Sequence, residues 1–377
     1  MSTTGGVAPD RVTAGEVARP TDPPHLMHPS PEVAGHVRTG RLRSIRLRLL
    51  LPIVVATAGL VVLGVVQTQF AVRTSLDARR AQVMASTATV TVRLAHRLEQ
   101  EIAEEDALRA RGGTAGQPLV SSAREQTNLA KDRFLTAARA ARDAAPALRP
   151  VLDAAGAELD KLDGIRQAVG TLKAGQLSGD RYADLSRSLI AVADALPTQL
   201  SDAQLAATAR AVGAIAAAEH LGAQQRDLLS QVFRRNAFAP GELADLAQLT
   251  GAQDERLAEF TRSATTTELS RYNQLIAGDD VAAAQKMRAG ALAARPEPNA
   301  LKVDPDVWYI AQSSALRRLN LLQLGLSNTL DASSRDRQLR AQTSSVLTGT
   351  ATGCLVLLAF SAALLFGGTT PWRTRTS

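Results

Sequence analysis

Residues 49–72 read LLLPIVVATAGLVVLGVVQTQFAV, with no charged side chain. A helix of about 20 apolar residues crosses the hydrocarbon layer of a bilayer, and this stretch is longer than that. A second charge-free window runs from Ala341 to Trp372, with its apolar core from Val346 to Gly367. The alternatives are a buried core helix for either window and a cleaved signal peptide for the first. Soluble helices rarely run this long without a charge. A tail of more than forty residues precedes the first window, which favours an uncleaved anchor. The sequence thus predicts membrane-spanning helices at 49–72 and 345–367, a tail at 1–48, a large domain at 73–340 and a short tail at 368–377.

Orientation is read from the arginines. Arg38, Arg41, Arg43, Arg46 and Arg48 crowd the front of the first window with no acid among them, and Arg373 and Arg375 follow the second. Positive residues stay on the cytoplasmic side. Both termini are expected in the cytoplasm of a two-span protein of the cell membrane, with 73–340 outside. Arg73, Arg79 and Arg80 argue weakly the other way, but Asp77 lies among them.

The net charge of +7 suggests a polyanion partner until it is divided. Residues 1–48 hold seven arginines against four acids, whereas 73–340 hold 34 basic and 32 acidic residues. A domain so nearly neutral has no nucleic-acid footprint, and the basic excess sits where it meets anionic membrane lipid. The single cysteine, Cys354, excludes a disulfide framework and a cysteine-based metal site. The five histidines, among them His96 and His220, form no ligand cluster in sequence. No Walker loop, dinucleotide glycine pattern, nucleophile elbow or HExxH occurs. Neither enzymatic activity nor a cofactor is expected.

The 73–340 segment reads as helix throughout. Aromatics are only 3% of the chain while apolar residues are 45%, much of it alanine, which favours helices. Val83, Val90, Leu94, Leu98 and Ile102 make an apolar stripe on a first helix, continuous with the first span. Three glycines and Pro118 end it after Arg111. Further helices are expected to about Arg142, then to about Leu172, then from Asp180 to Leu196. Asp202 caps a long one to Arg235, and Pro240 suits the first turn of the next, to Phe260. Shorter helices follow at 266–277 and 280–294. Asp304-Pro305 starts a last helix, on which Leu319, Leu322, Leu326 and Leu330 form a stripe leading into the second span. The prediction is an all-α antiparallel helical bundle between two transmembrane helices, with one or two four-helix units whose Ala and Leu cores explain the scarcity of aromatics. Residues 1–40, rich in Pro, Gly, Thr and His, are expected to lack fixed structure.

Three stretches of the long helices resemble a known family. They are Gln225-Arg226-Asp227-Leu228-Leu229, then Glu259-Phe260 to Ala264 with Tyr272 beyond, and Trp308 with Ala311-Gln312-Ser313-Ser314. Over about 80–340 the chain resembles the nitrate- and nitrite-sensing (NIT) domain of actinobacterial sensor histidine kinases. The resemblance implies two four-helix bundles and an anion site lined by arginines from the first helix and a later long one. Ligand-binding candidates are therefore Arg226, Gln225 and Arg109. The basic member of the family's Glu-Arg pair on the first helix falls on Asp106, after Glu105, with Arg97 and Arg109 the nearby substitutes. The acid run Glu99, Glu101, Glu104, Glu105 and Asp106 otherwise reads as a solvated face with a Glu105–Arg109 pair.

Arg226 can be weighed by its register. Leu205, Val212, Glu219, Arg226 and Phe233 stand in one column seven apart, beside Ile215, Gly222 and Leu229. On that register Arg226 lies on an apolar stripe, where a charge must be paired or liganded. A planar guanidinium suits a planar anion such as nitrate or nitrite. On the rival register of Leu221, Leu228 and Val232 it is partly exposed. A pair with Asp106 is the other open reading. Two function classes remain. One is a membrane-anchored sensor of a small anion, working as a homodimer, either as the front end of a larger kinase or through a separate histidine kinase. The other is a scaffolding membrane protein whose bundle binds only other proteins.

Overall fold

The computed structural model describes residues 41–110, 116–173, 176–294 and 301–368. The expectations for residues 1–40, for the glycine-rich loop at 111–115 and for the end of the chain after Gly368 lie outside the described residues. Among the described residues all regular structure is helical and no strand occurs.

Helix α1 (Arg41–Ala110) carries the first apolar window and continues without a break into the acidic run. It is followed by α2 (Gln117–Ala144), with a proline in its first turn, and a 3-10 turn at Pro146–Leu148. The single helix expected up to Leu172 is two, α3 (Arg149–Asp160) and α4 (Leu162–Gly170), divided at Lys161. The buried positions Leu152, Ala155, Leu159, Leu162, Arg166 and Val169 keep a three-four spacing across that division, so periodicity alone reads one helix. Then come α5 (Gly179–Ala195) and α6 (Ala203–Arg235). Asp202 caps α6 by accepting from the Leu205 N–H at 2.9 Å, and Asn236 ends it in the left-handed conformation, φ 52°.

Pro240 does not sit in the first turn of α7 (Glu242–Ser263). Gly241, at φ 93°, intervenes as the residue before the helix, and the Glu242 carboxylate accepts from the Ala239 N–H at 2.8 Å. A capping box of Thr265 and Glu268 opens α8 (Thr266–Ile276). After α9 (Asp279–Leu292), α10 (Pro305–Gly368) starts where Asp304-Pro305 predicts, with the Asp304 carboxylate accepting from the Asp306 N–H at 2.8 Å.

Helix α6 is the axis of the packing. It lies against α5, α7 and α10, while α10 also packs on α8 and α9. Its alanines 209, 211, 214, 217 and 218 are buried on all sides, as expected of a helix surrounded by others. One apolar core joins α1 to α6 with Phe260 and the leucine stripe of α10, where Leu322, Leu326 and Leu330 are inside. A second core gathers Leu229, Phe233, Leu246, Ala284, Leu301 and Trp308.

The acid run is not a solvated face. Glu101 and Glu105 are buried. Arg166 grips Glu101 with two hydrogen bonds, Nε to Oε1 at 2.7 Å and Nη2 to Oε2 at 2.9 Å. Arg124 donates to Glu105 at 2.6 Å, and the Tyr182 hydroxyl lies 3.1 Å from an oxygen of each acid. Burial drives the Glu105 carboxyl upward despite Arg124. Arg109 does not take Glu105 as its partner; it donates to Asp106.

Among the described residues, part of each apolar window is uncovered. Val61, Val62, Leu63, Val65, Val66 and Phe70 of α1 are exposed, as are Val346, Leu347, Leu355 and Leu357 of α10. Among the described residues, Ala58–Ala110 holds a stretch long and apolar enough to cross a membrane.

Candidate functional site

The buried register of α6 is the one that includes Arg226. Leu205, Val212, Glu219, Arg226 and Phe233 are all inside, as are Ile215, Gly222 and Leu229. Arg226 is only 6% exposed. Its Nε donates to the Asp227 Oδ1 at 2.8 Å, its guanidinium carbon stands 5.0 Å from the centre of the Tyr309 ring, and its Nη2 is buried with no hydrogen-bond partner. The adjacent Trp308 fixes the backbone there, donating from Nε1 to the Arg226 carbonyl at 2.9 Å.

The guanidinium borders a cavity of about 250 Å³. Gln100 and Ala103 of α1 line it, with Ala223 of α6 and Tyr309 and Ser313 of α10, and the exposed Arg317 stands at its edge. The Ser313 hydroxyl is a second buried polar group without a partner. An unmet buried donor costs about 1–3 kcal/mol, and two such groups belong to residues that line this cavity. His96, Glu99 and Glu219 form the other wall. Two reciprocal pairs join α1 to α6 there, His96 Nδ1 with Glu219 at 2.7 Å and His220 Nδ1 with Glu99 at 2.6 Å. Burial works to lower the His220 pKa, but the Glu99 carboxylate outweighs it and the net shift is upward.

Asp227 controls the charge of the site. Burial raises its pKa to about 6, against the pull of Arg226 and with a push from Asp106 and Glu99. Arg226 stays a cation: burial opposes its charge, but Asp227 more than compensates and its pKa is raised.

The three predicted ligand residues are not brought together. Gln225 faces the other side of α6, donating to the Leu249 carbonyl at 3.2 Å and to Gln253 at 3.1 Å. Arg109 reaches Asp106 and the Val169 carbonyl. Asp106 does not pair with Arg226; it accepts from the Ser178 N–H at 3.0 Å and hydroxyl at 2.7 Å as well as from Arg109. Sequence reasoning passed over Tyr309, Ser313 and Arg317 as site residues. Their i, i+4, i+8 spacing puts them on one face of a helix, and Ser313 lies in the quoted Ala311–Ser314 stretch, so part of the signal was there. Nothing in the sequence says which helix that face meets.

A buried cation beside a cavity between helices defines a helical small-ligand domain. The particular family follows from the comparisons. Residues 93–331 match the family described as nitrate and nitrite sensing, more than half of the chain, and the protein belongs to that family. The fold is shared with the structure of the NasR transcription antiterminator, at 20% identity and a TM-score of 0.60, over 82% of this chain and 90% of that one. No curated protein sequence matches the chain.

Proposed function

We propose that the protein is a membrane-anchored sensor that binds nitrate or nitrite beside Arg226, with no catalytic role. One observation carries this: the Arg226 Nη2 is buried and unpartnered at the edge of a cavity. The anion takes that donor and the Ser313 hydroxyl, with Arg317 closing the edge. Of the three residues the sequence puts forward, Arg226 contacts the ligand. Gln225 and Arg109 position it indirectly, Gln225 through α7 and Arg109 by holding the Asp106 charge. The uncovered apolar stretches of α1 and α10 anchor the domain as two spans, with both termini cytoplasmic, 73–340 outside and two antiparallel four-helix bundles between. Because α1 and α10 each contribute to the cavity and each run on into an apolar stretch, filling it shifts helix packing that continues into the bilayer. A symmetric homodimer passes the shift to a separate histidine kinase.

Calorimetry on the full chain in detergent tests the site. Wild type binds nitrate or nitrite, and Arg226→Ala loses about 1.5–3 kcal/mol for each charge-assisted hydrogen bond removed. Absence of binding by the wild type removes the sensor reading and leaves the scaffolding one, in which the bundle binds only other proteins.

A further inference from the structure

Arg226 is not the cation with the least compensation. On α9, Arg288 is half-buried, and its Nη1 donates to the side-chain oxygens of Gln225 at 2.9 Å and Gln253 at 2.6 Å. Both acceptors are neutral amides. Among the described residues Arg288 forms no ion pair, and its Nε and Nη2 make no hydrogen bond. The contrast with other buried or half-buried arginines is chemical. Arg166, Arg226 and Arg256 each grip a carboxylate, which lifts their pKa against the effect of burial. For Arg288 burial prevails and the pKa is pushed down, with only the distant charge of Asp254 opposing it. A half-buried guanidinium with only neutral partners is partly withdrawn from water with no carboxylate to offset the cost, while its Nε and Nη2 stay open to solvent and to an anion.

There is room for one. A cavity of about 60 Å³ adjoins Arg288, lined among others by Gln253, Tyr272, Gln312 and Leu316. A single water needs about 10–15 Å³ on this measure, so the space takes a few atoms and no organic acid of any size. Its walls are fixed. Gln253 donates to the Ala218 carbonyl at 2.9 Å and Gln312 to the Gly222 carbonyl at 3.1 Å. Gly222 permits this close approach: a Cβ there would stand 2.7 Å from both Gln253 Nε2 and Leu316 Cδ2. Leu316 also borders the Arg226 cavity, so the two spaces lie on either side of it.

We propose that Arg288 forms a second binding site for a small monovalent anion, distinct from the Arg226 cavity and walled by Gln253, Tyr272 and Gln312. The guanidinium edge formed by Nε and Nη2 offers two parallel donors to a planar oxyanion. Gln225 then takes part in both sites, supporting the Arg226 site through α7 and orienting Arg288 at the second.

Titration of the full chain in detergent with sodium nitrate tests this, by calorimetry at constant ionic strength. Wild type is expected to bind two nitrates per chain, Arg288→Gln one, Arg226→Gln one, and the double variant none. If the Arg226 reading alone is wrong, wild type binds one nitrate, which Arg226→Gln keeps and Arg288→Gln loses. A wild type with one nitrate that Arg226→Gln abolishes, or an Arg288→Gln protein that still binds two, overturns the second site. Arg288→Lys covers a folding failure of the glutamine variant: it keeps the charge but not the paired donors, and the second site should weaken at least tenfold. Unchanged affinity in that variant, or no nitrate bound by wild type, also overturns it.

Discussion

At the residue scale, the charge of the Arg226 site is set by its neighbour Asp227. In the folded chain this carboxyl takes its proton at about pH 6, where an ordinary aspartate titrates at 3.8. The folded state therefore binds the proton more tightly than the unfolded state, and stability falls as pH rises from about 4 to 6. Each tenfold difference in proton affinity between the two states corresponds to about 1.4 kcal/mol, so the loss is on the order of 3 kcal/mol, and Asp227→Asn should flatten that part of a denaturation profile. The same proton leaves Arg226 uncompensated, so nitrate affinity should rise as pH falls through about 6, by up to about tenfold for each pH step of one for a single linked proton. Calorimetry from pH 5 to 8 measures it. A pH-independent affinity, or the same slope in Asp227→Asn, refutes the role given to Asp227.

At the scale of elements, the fit of α6 against α7 and α10 depends on a missing side chain. Gly222→Ala places a Cβ 2.7 Å from Gln253 Nε2 and Leu316 Cδ2. Alanine is the better helix former by about 1 kcal/mol, but overpacking costs about 1–3 kcal/mol and also disturbs both cavity walls. The variant should unfold at lower denaturant concentration than wild type, and a gain in stability would show that α10 yields freely. The α1–α6 contact has its own pH response. Glu99 holds the His220 pKa above its ordinary value, so the pair stabilises the fold fully below about pH 6.5 and the contribution disappears as pH rises through the higher folded value. Melting temperature should drop across that upper range in wild type and not in Glu99→Gln. Equal slopes in the two proteins would mean that the pair contributes nothing.

On the scale of the whole molecule, the exposed apolar stretches of α1 and α10 make topology the central question. Soluble proteins rarely leave so large an apolar surface uncovered. In a Cys354→Ser background, Ser122→Cys on the exposed side of α2 should react with an impermeant thiol reagent on intact cells. A reporter fused after Ser377 should lie in the cytoplasm. Labelling of Ser122→Cys only after lysis reverses the proposed orientation.

Most helix positions are legible in the residues alone, apart from the division at Lys161 and the start of α7. Asp202 and Asp304 mark helix starts because a side-chain oxygen at a helix N-terminus satisfies an N–H that the helix leaves open, a purely local requirement. The seven-residue column of α6 offered a register with Arg226 inside, since burial on a helix follows its 3.6-residue period, and packing chose it over the rival one. The family membership was legible too, in the Gln225–Leu229 and Trp308–Ser314 stretches. Partners across helices were not. The acid run of α1 looks like a solvated face because its local neighbours are charged; only the arrival of Arg166, Arg124 and Tyr182 from three other helices buries Glu101 and Glu105. Likewise Asp106 meets Ser178 and Arg226 meets Tyr309, and Gln225 turns to Arg288, 63 residues away. A period of 3.6 residues fixes which face of a helix is buried. It carries no information about which of several alike helices that face will meet, and the walls of both cavities were decided there, by tertiary packing.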